Sequence, residues 1–219
     1  MFYWKYEGQQ LAALGVDDRG NNSFYTRNVG ESTIKGAEVD FQFLATESTL
    51  IRGGVQYLDA TYDAFTYDQV DLSDATDPPN FLTPVTGCDY TQNMGPTRSF
   101  TIDCSGKPAL NAPKWTVNLG LQQTIDLGDF ELIAAIDGRY RSNRVVGFGY
   151  LPTGNSGEDL TLDASLSLVP FDRGFTATLF VRNLTNETMR SLYQVGAANV
   201  ASVTLEPPRT YGARVGYKF

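Results

Sequence analysis

The sequence predicts an all-β fold, an antiparallel transmembrane β-barrel of about eight strands that forms a single domain over residues 1–219. Three observations lead to this prediction. Apolar and polar side chains alternate with period two over segments of about ten residues, as in a strand with two unlike faces. The connections between these segments are alternately short and long. The apolar face of the last seven segments contains no charged side chain.

The first three strands are predicted in the N-terminal part of the chain. FYWKYEG, at 2–8, alternates Phe, Trp and Tyr with Tyr, Lys and Glu. GAEVDFQF, at 36–43, sets Ala, Val and two Phe on one face against Glu, Asp and Gln on the other. IRGGVQY, at 51–57, alternates Ile, Gly, Val and Tyr with Arg, Gly and Gln. Each pattern places unlike side chains on opposite faces of a strand.

Five further strands follow the longest predicted loop. PKWTVNLGLQQTI (113–125) and FELIAAIDGRYR (130–141) flank the tight turn LGD. LTLDASLSL (160–168) and FTATLFVRN (175–183) flank the turn around PFDRG. In the last segment, TYGARVGYKF (210–219), Tyr, Ala, Val, Tyr and Phe alternate with Thr, Gly, Arg, Gly and Lys. No segment with helical periodicity competes with these strands.

The connections indicate which solvent the apolar face meets. Short connections are predicted near Ala45–Glu47, 127–129 and 170–174, and long connections near 14–31, 63–112, 147–159 and 186–208. Short turns at one end and long loops at the other are typical of outer-membrane barrels. The connections of a Greek-key sandwich are not expected to alternate between short and long. A soluble β-rich binding domain is the alternative, because charges are also costly inside a protein core.

Aromatic side chains gather at the strand ends, as in the interfacial girdles of membrane barrels. The expected girdle residues are Trp4, Trp115, Tyr140, Tyr211, Tyr217 and Phe219.

The composition excludes several classes of function. The chain has no histidine, which removes Ser-His-Asp and Cys-His catalysis and any histidine metal site. We therefore predict neither an enzyme nor a cofactor. The net charge of −8 argues against a nucleic-acid partner, because duplex binding needs clustered Lys and Arg. No apolar run is long enough for a transmembrane helix.

The loop predicted at 63–112 contains both cysteines, Cys88 and Cys104. We expect a disulfide here, and closing a loop of this length is worth about 3 kcal/mol. A zinc pair is disfavoured because the chain has no histidine and no further cysteine. The same region contains Asp59, Asp63, Asp68, Asp71, Asp74 and Asp77. Their spacing is irregular for calcium, so we expect solvated carboxylates and no metal site.

Four motifs occur in order along nearly the whole chain. They are NVGESTIKGAEVDFQF (28–43), NAPKWTVNLGL (111–121), FVRNLTNETM (180–189) and PPRTYGARVGYKF (207–219). Together they resemble the TonB-dependent receptors, the active transporters of Gram-negative outer membranes. The second resembles that family's strand after a long outer loop, and the fourth resembles its terminal strand, which ends in Phe.

The resemblance implies a larger assembly. Barrels of this family have 22 strands around a plugged lumen. The chain would then be a C-terminal fragment that lacks the plug domain and the N-terminal strands. The implied function is uptake of a scarce nutrient, such as an iron–siderophore, cobalamin or a saccharide, across the cell outer membrane. The alternative is a stand-alone eight-stranded outer-membrane barrel with a structural or adhesive role.

The resemblance also implies partners. They are outer-membrane lipid, the barrel-assembly machinery, the plug domain, TonB and a small-molecule nutrient. The side chains expected to face the lumen are Arg52, Arg139, Arg141, Arg182, Arg214, Glu38 and Asp40. The arginines could contact a plug or an anionic substrate, but charge pairing across the wall is the favoured interpretation.

Overall fold

The structure is a computed structural model, and it describes residues 1–16, 22–70, 84–93, 99–195 and 201–218. Thirteen strands and one short 3-10 turn account for its regular structure within these ranges. In chain order the strands are β1 Phe2–Val16, β2 Asn22–Thr46, β3 Thr49–Ala64, β4 Thr66–Val70, β5 Asp89–Asn93, β6 Ser99–Asp103, β7 Trp115–Asp126, β8 Phe130–Arg141, β9 Asp159–Pro170, β10 Gly174–Arg182, β11 Arg190–Val195, β12 Ala201–Leu205 and β13 Thr210–Lys218. The 3-10 turn is Pro152–Gly154. The all-β prediction is confirmed.

Eight strands form one large antiparallel sheet in the order β1-β2-β3-β7-β8-β9-β10-β13. Each of the eight predicted segments overlaps one of these strands. The order follows the chain, as expected when each strand pairs with the next through a hairpin or a long loop. Strands β1 and β13 lie at the two ends of the sheet, an arrangement that fits part of a larger barrel.

The short connections lie at one end of this sheet. Strands β2 and β3 are separated by two residues only, Glu47 and Ser48. Between β7 and β8, Gly128 adopts a φ of 86°, a backbone conformation that favours glycine. The carboxylate of Asp126 accepts a hydrogen bond of 2.8 Å from the Gly128 amide and stabilises this turn.

The first two strands are longer than predicted. Strand β1 continues to Val16 and β2 begins at Asn22, so the loop expected at 14–31 is largely an antiparallel ribbon. Strand β2 has 25 residues, whereas a strand needs about 9–11 residues to cross a bilayer. More than half of β2 therefore exceeds the length that crossing a bilayer needs. The prediction missed this ribbon because backbone pairing alone forms it, and its sequence does not alternate apolar and polar residues.

The predicted loop at 63–112 contains a second sheet with strand order β4-β6-β5. We call residues 62–70, 84–93 and 99–110 the outer subdomain. Its buried core is the set Tyr62, Phe65, Cys88, Phe100, Ile102 and Cys104. A third sheet, the β11–β12 hairpin, lies in the predicted loop at 186–208. These strands are five or six residues long, too short for their alternation to be recognised in the sequence.

The large sheet has an uncovered apolar face. We define the apolar face as the one that carries Val39, Leu119, Leu179 and Val215, and the polar face as its opposite. These four side chains are 65%, 56%, 62% and 70% exposed. No part of the chain that the structure describes covers this face, although its residues are those that normally form a core. Among the described residues, no helix has the length and apolar character needed to cross a membrane.

Candidate functional site

The polar face of the large sheet forms a groove of about 730 Å³. Its position follows from strand pairing, because side chains directly opposite each other on paired strands share a face. Asp40 pairs with Gly54, Gly54 with Asn118, and Asn118 with Arg139. The same alternation continues through Thr161, which pairs with Arg139. Glycines leave room for the longer side chains: a Cβ on Gly120 would lie 2.8 Å from Nε of Arg52.

The seven charged residues expected to face the lumen share this polar face. Their strand partners are Glu38 with Gln56, Asp40 with Gly54, Arg52 with Gln42, Arg139 with Asn118, Arg141 with Thr116, Arg182 with Thr210 and Arg214 with Thr178. That this face lines a lumen remains a prediction. The face combines three acidic and three basic groove residues: Asp40, Asp137, Asp163, Arg52, Arg139 and Arg182.

One ion pair crosses the groove wall. Nη2 of Arg52 lies 2.8 Å from Oδ1 of Asp137, and the two side chains are 51% and 47% exposed. Exposed pairs of this kind contribute about 0–1 kcal/mol, because solvent screens the attraction. The pair therefore contributes little to the stability of the sheet.

A more buried ionic network lies where β8, β9 and β13 meet the long connections. Asp159 accepts hydrogen bonds from Nε of Arg141 at 2.9 Å and from Nη1 of Arg144 at 2.6 Å. Glu206 lies 3.0 Å from Nη2 of Arg141 and 3.5 Å from Nη2 of Arg144. Its other oxygen lies 3.7 Å from Arg139. The side chains of Arg144 and Asp159 are almost fully buried.

Sequence reasoning missed Arg144. It lies outside the amphipathic segments, and a single arginine in a predicted loop normally indicates a solvated side chain. Its burial arises from long-range contacts with Asn111, the Arg190 carbonyl and Glu206. No local pattern in the sequence could have identified it.

The structure joins Cys88 to Cys104 in a disulfide with a Cα–Cα distance of 4.9 Å. Both cysteines belong to the core of the outer subdomain. Close to them, hydrogen bonds from Ser105 hold the pKa of the Asp103 carboxyl below its usual value. Burial raises the pKa of the Tyr150 hydroxyl.

The loop carboxylates bind protein groups. Asp68 accepts a hydrogen bond from Thr101, Asp63 accepts one from Thr33, and Asp59 pairs with Lys35. Asp71, Asp74 and Asp77 lie outside the described residues. Within the described ranges, no three His, Cys, Asp or Glu side chains are grouped so that they could hold a metal ion.

Four of the six expected girdle aromatics lie on the apolar face. Trp115 packs against Tyr57 with ring centroids 4.9 Å apart, and Tyr217 packs against Phe175 at 5.0 Å. Tyr140 pairs with Val117 and Leu160, and Tyr211 pairs with Val181. Phe219 lies outside the described residues.

Trp4 differs from the expectation. It pairs with Ile34, and its neighbour Phe2 pairs with Gly36, two residues before Glu38. This register places Trp4 on the polar face. The phase of β1 was ambiguous because aromatic residues occupy both of its faces, and only pairing with β2 decides it.

Charged side chains mark where the apolar face ends. Lys35 pairs with Asp59 at 3.2 Å, and Lys5 pairs with Glu31 at 2.7 Å, on the N-terminal side of Ala37 in β2. The apolar residues of this face in β2 run from Ala37 to Phe43, about 20 Å along the strand.

The sequence matches the family model described as TonB dependent receptor-like, beta-barrel, over residues 2–184. The chain belongs to this family of TonB-dependent receptor barrels. The predicted resemblance to TonB-dependent receptors is therefore confirmed. Proteins of this family are transporters and receptors, not enzymes, and homologous TonB-dependent receptor barrels are outer-membrane proteins.

Three solved structures show the same fold. The ferric yersiniabactin uptake receptor FyuA from Yersinia pestis has a TM-score of 0.62 at 14% identity, covering 97% of this chain and 26% of its own. The ferric preacinetobactin receptor BauA from Acinetobacter baumannii has a TM-score of 0.59 at 18% identity, covering 99% and 26%. The siderophore receptor PiuA from the same organism has a TM-score of 0.56 at 15% identity, covering 97% and 24%.

The TonB-dependent receptor chain described here spans about a quarter of the length of these structures. That coverage agrees with a partial barrel. No protein with a curated description matches the sequence.

Proposed function

We propose that this chain forms the C-terminal wall and outer loops of a TonB-dependent transporter in the cell outer membrane. The observation that carries the proposal is the uncovered apolar face of the eight-stranded sheet. In water, so large an apolar surface would drive aggregation, whereas in a bilayer it meets a matching solvent. The girdle aromatics support the same interpretation.

The polar face has a separate part in the proposal. A charged groove cannot face hydrocarbon, so it faces the lumen of the complete barrel. There it would contact the plug domain, which would respond to TonB, while the barrel-assembly machinery would insert the strands. Half-exposed groups such as Arg52 and Arg139 would remain available for the plug or for the passing nutrient.

The proposed cargo is a scarce nutrient, most specifically an iron–siderophore. This proposal is supported by the three structural neighbours, which are described as receptors for ferric yersiniabactin, ferric preacinetobactin and a siderophore. At 14–18% identity these likenesses concern the fold alone. Cobalamin and saccharides are therefore the competing cargoes, and uptake measurements decide among them.

A stand-alone structural or adhesive barrel is less well supported. The strand order leaves β1 and β13 at opposite ends of the sheet, and edge strands in lipid need partners for their backbone groups. Neighbouring strands of a larger barrel would supply these partners.

Uptake in cells tests the proposal. We would delete the gene that contains this sequence and measure uptake of radiolabelled iron–siderophores, cobalamin and maltodextrin, with a TonB-deficient strain as the control. The proposal predicts a selective defect for one cargo, which the TonB-deficient strain reproduces. If all three cargoes enter at wild-type rates during starvation, while the protein is present in outer-membrane fractions of the parent strain, the transport proposal is wrong.

A further inference from the structure

The connection between β8 and β9, residues 142–158, contacts both the outer subdomain and the β11–β12 hairpin. We call it the bracket segment. On one side it joins the outer subdomain: the Gly149 carbonyl accepts a hydrogen bond of 2.6 Å from the Gly87 amide. The hydroxyl of Tyr150 donates to the Pro108 carbonyl at 2.7 Å. The ring of Phe148 packs edge-on against Phe65 at 5.6 Å.

On its other side the bracket segment joins the β11–β12 hairpin. The Val146 carbonyl accepts a hydrogen bond of 2.9 Å from the Tyr193 amide. Nη1 of Arg190 donates to the carbonyls of Thr153 and Asn155 at 3.0 and 3.2 Å. The packing is close, because a Cβ on Gly147 would lie 2.9 Å from the Tyr193 ring.

Arg144 lies at the centre of these contacts. Its guanidinium, with a side chain only 2% exposed, donates to Asp159 at the start of β9 and to Asn111 before β7. It also donates to the carbonyl of Arg190, the first residue of the hairpin, and to Glu206, which comes directly after the hairpin. One buried cation thus contacts four residues that lie far apart in the chain. Removing it would leave buried acceptors without a donor, which is costly.

We infer that the bracket segment holds the outer subdomain and the β11–β12 hairpin together as one rigid cover, with Arg144 as the residue that locks it. The alternative arrangement for a receptor mouth is a set of loops that move independently. Here each unit contacts the same segment through backbone hydrogen bonds, so displacement of one unit disturbs the other. Such coupling needs contiguous packed and hydrogen-bonded groups, and the bracket segment supplies them.

The inference rests on the proposed function only in placing this cover over a lumen. The experiment therefore measures amide hydrogen exchange of the complete receptor that contains this chain, in detergent micelles with no substrate present. A failure of transport would leave the exchange result intact, and the reverse also holds. Two reporter amides are used, Gly87 in the outer subdomain and Tyr193 in the hairpin.

In the variant Arg144→Met we expect exchange to accelerate roughly a hundredfold at both reporters, because breaking a buried ionic network raises the population of open states. Gly87 makes no contact with Arg144 in the described structure, so its response measures coupling. Ile136, in the middle of β8, should keep its wild-type rate. Arg173→Met, in the exposed turn at the opposite end of the sheet, is the matched control and should change neither reporter.

A second variant tests the coupling in the opposite direction. Tyr150→Phe removes only the hydroxyl that reaches Pro108, and we expect exchange at Tyr193 to accelerate about fivefold, as for one lost hydrogen bond. This variant stays informative if Arg144→Met fails to fold. If Tyr193 keeps its wild-type rate in Tyr150→Phe, or Gly87 keeps its rate in folded Arg144→Met, the units move independently and the inference is wrong.

Discussion

An arginine in place of Leu119 tests which solvent the apolar face meets. Leu119 lies near the middle of β7, within Trp115–Asp126, and its side chain is 56% exposed. Its cross-strand neighbours are Gly53 and Gly138, so a longer side chain meets no bulky residue directly opposite. The substitution therefore changes polarity with little steric conflict, which makes the free-energy change interpretable.

The two possible surroundings of the Leu119 side chain, hydrocarbon and water, give different magnitudes. In hydrocarbon an arginine near the midplane of a barrel surface destabilises the fold by about 2–4 kcal/mol. On a water-exposed surface the same change is usually within about 0.5 kcal/mol. Our account predicts the first value, which corresponds to a folding equilibrium weaker by about thirtyfold to a thousandfold.

The assay is urea unfolding of the complete receptor that contains this chain, inserted in lipid vesicles and followed by tryptophan fluorescence. The matched control is Asn118→Arg, one residue away on the polar face and opposite Gly54. We expect a lower unfolding midpoint with an unchanged slope for Leu119→Arg, and little change for Asn118→Arg. Equal effects of the two substitutions, or no effect of Leu119→Arg, would refute the assignment of the faces.

Three further predictions concern the outer subdomain and the groove. The double variant Cys88→Ala/Cys104→Ala should lose about 3 kcal/mol of local stability, seen as faster proteolysis between 84 and 110 with the large sheet still protected. Burial raises the pKa of Tyr150 above the ordinary tyrosine value of about 10. The neutral hydroxyl therefore stabilises the outer subdomain below that pH, and this stabilisation is lost as the pH rises further. Ultraviolet titration should show a late-ionising tyrosine that is missing in Tyr150→Phe. Asp137→Asn should change stability by less than about 1 kcal/mol, because the pair with Arg52 is half exposed, and a larger shift in the urea midpoint would contradict this.

The large sheet was predictable because one of its faces is apolar and the other is polar. In β7, apolar residues such as Leu119 and Leu121 alternate with polar residues such as Asn118, so period two appears directly in the sequence. Strand pairing then follows from chain order. The phase failed only for β1, where Trp4 and Tyr3 are both aromatic and only pairing with β2 distinguishes the faces.

The outer elements were not predictable, because their contacts are long in sequence. The core of the outer subdomain brings Tyr62 and Phe65 together with Cys88 and Cys104. Phe148 and Tyr150 then join from the β8–β9 connection. Arg144 is buried by the same kind of contact, and a single arginine between two strands gives no local sign of this. The two cysteines predicted a disulfide, but nothing local in the sequence predicted the subdomain that packs around them.

The most direct test of the account is a solvent-accessibility scan along β7. Single spin labels at positions 117–123 of the complete receptor that contains this chain, in lipid bilayers, would be probed with oxygen, which partitions into hydrocarbon, and with a water-soluble nickel complex. The account predicts that odd positions, such as Leu119 and Leu121, are accessible to oxygen and shielded from nickel, while even positions show the opposite. If the odd positions collide with nickel as readily as the even ones, or with neither probe, the apolar face does not meet lipid.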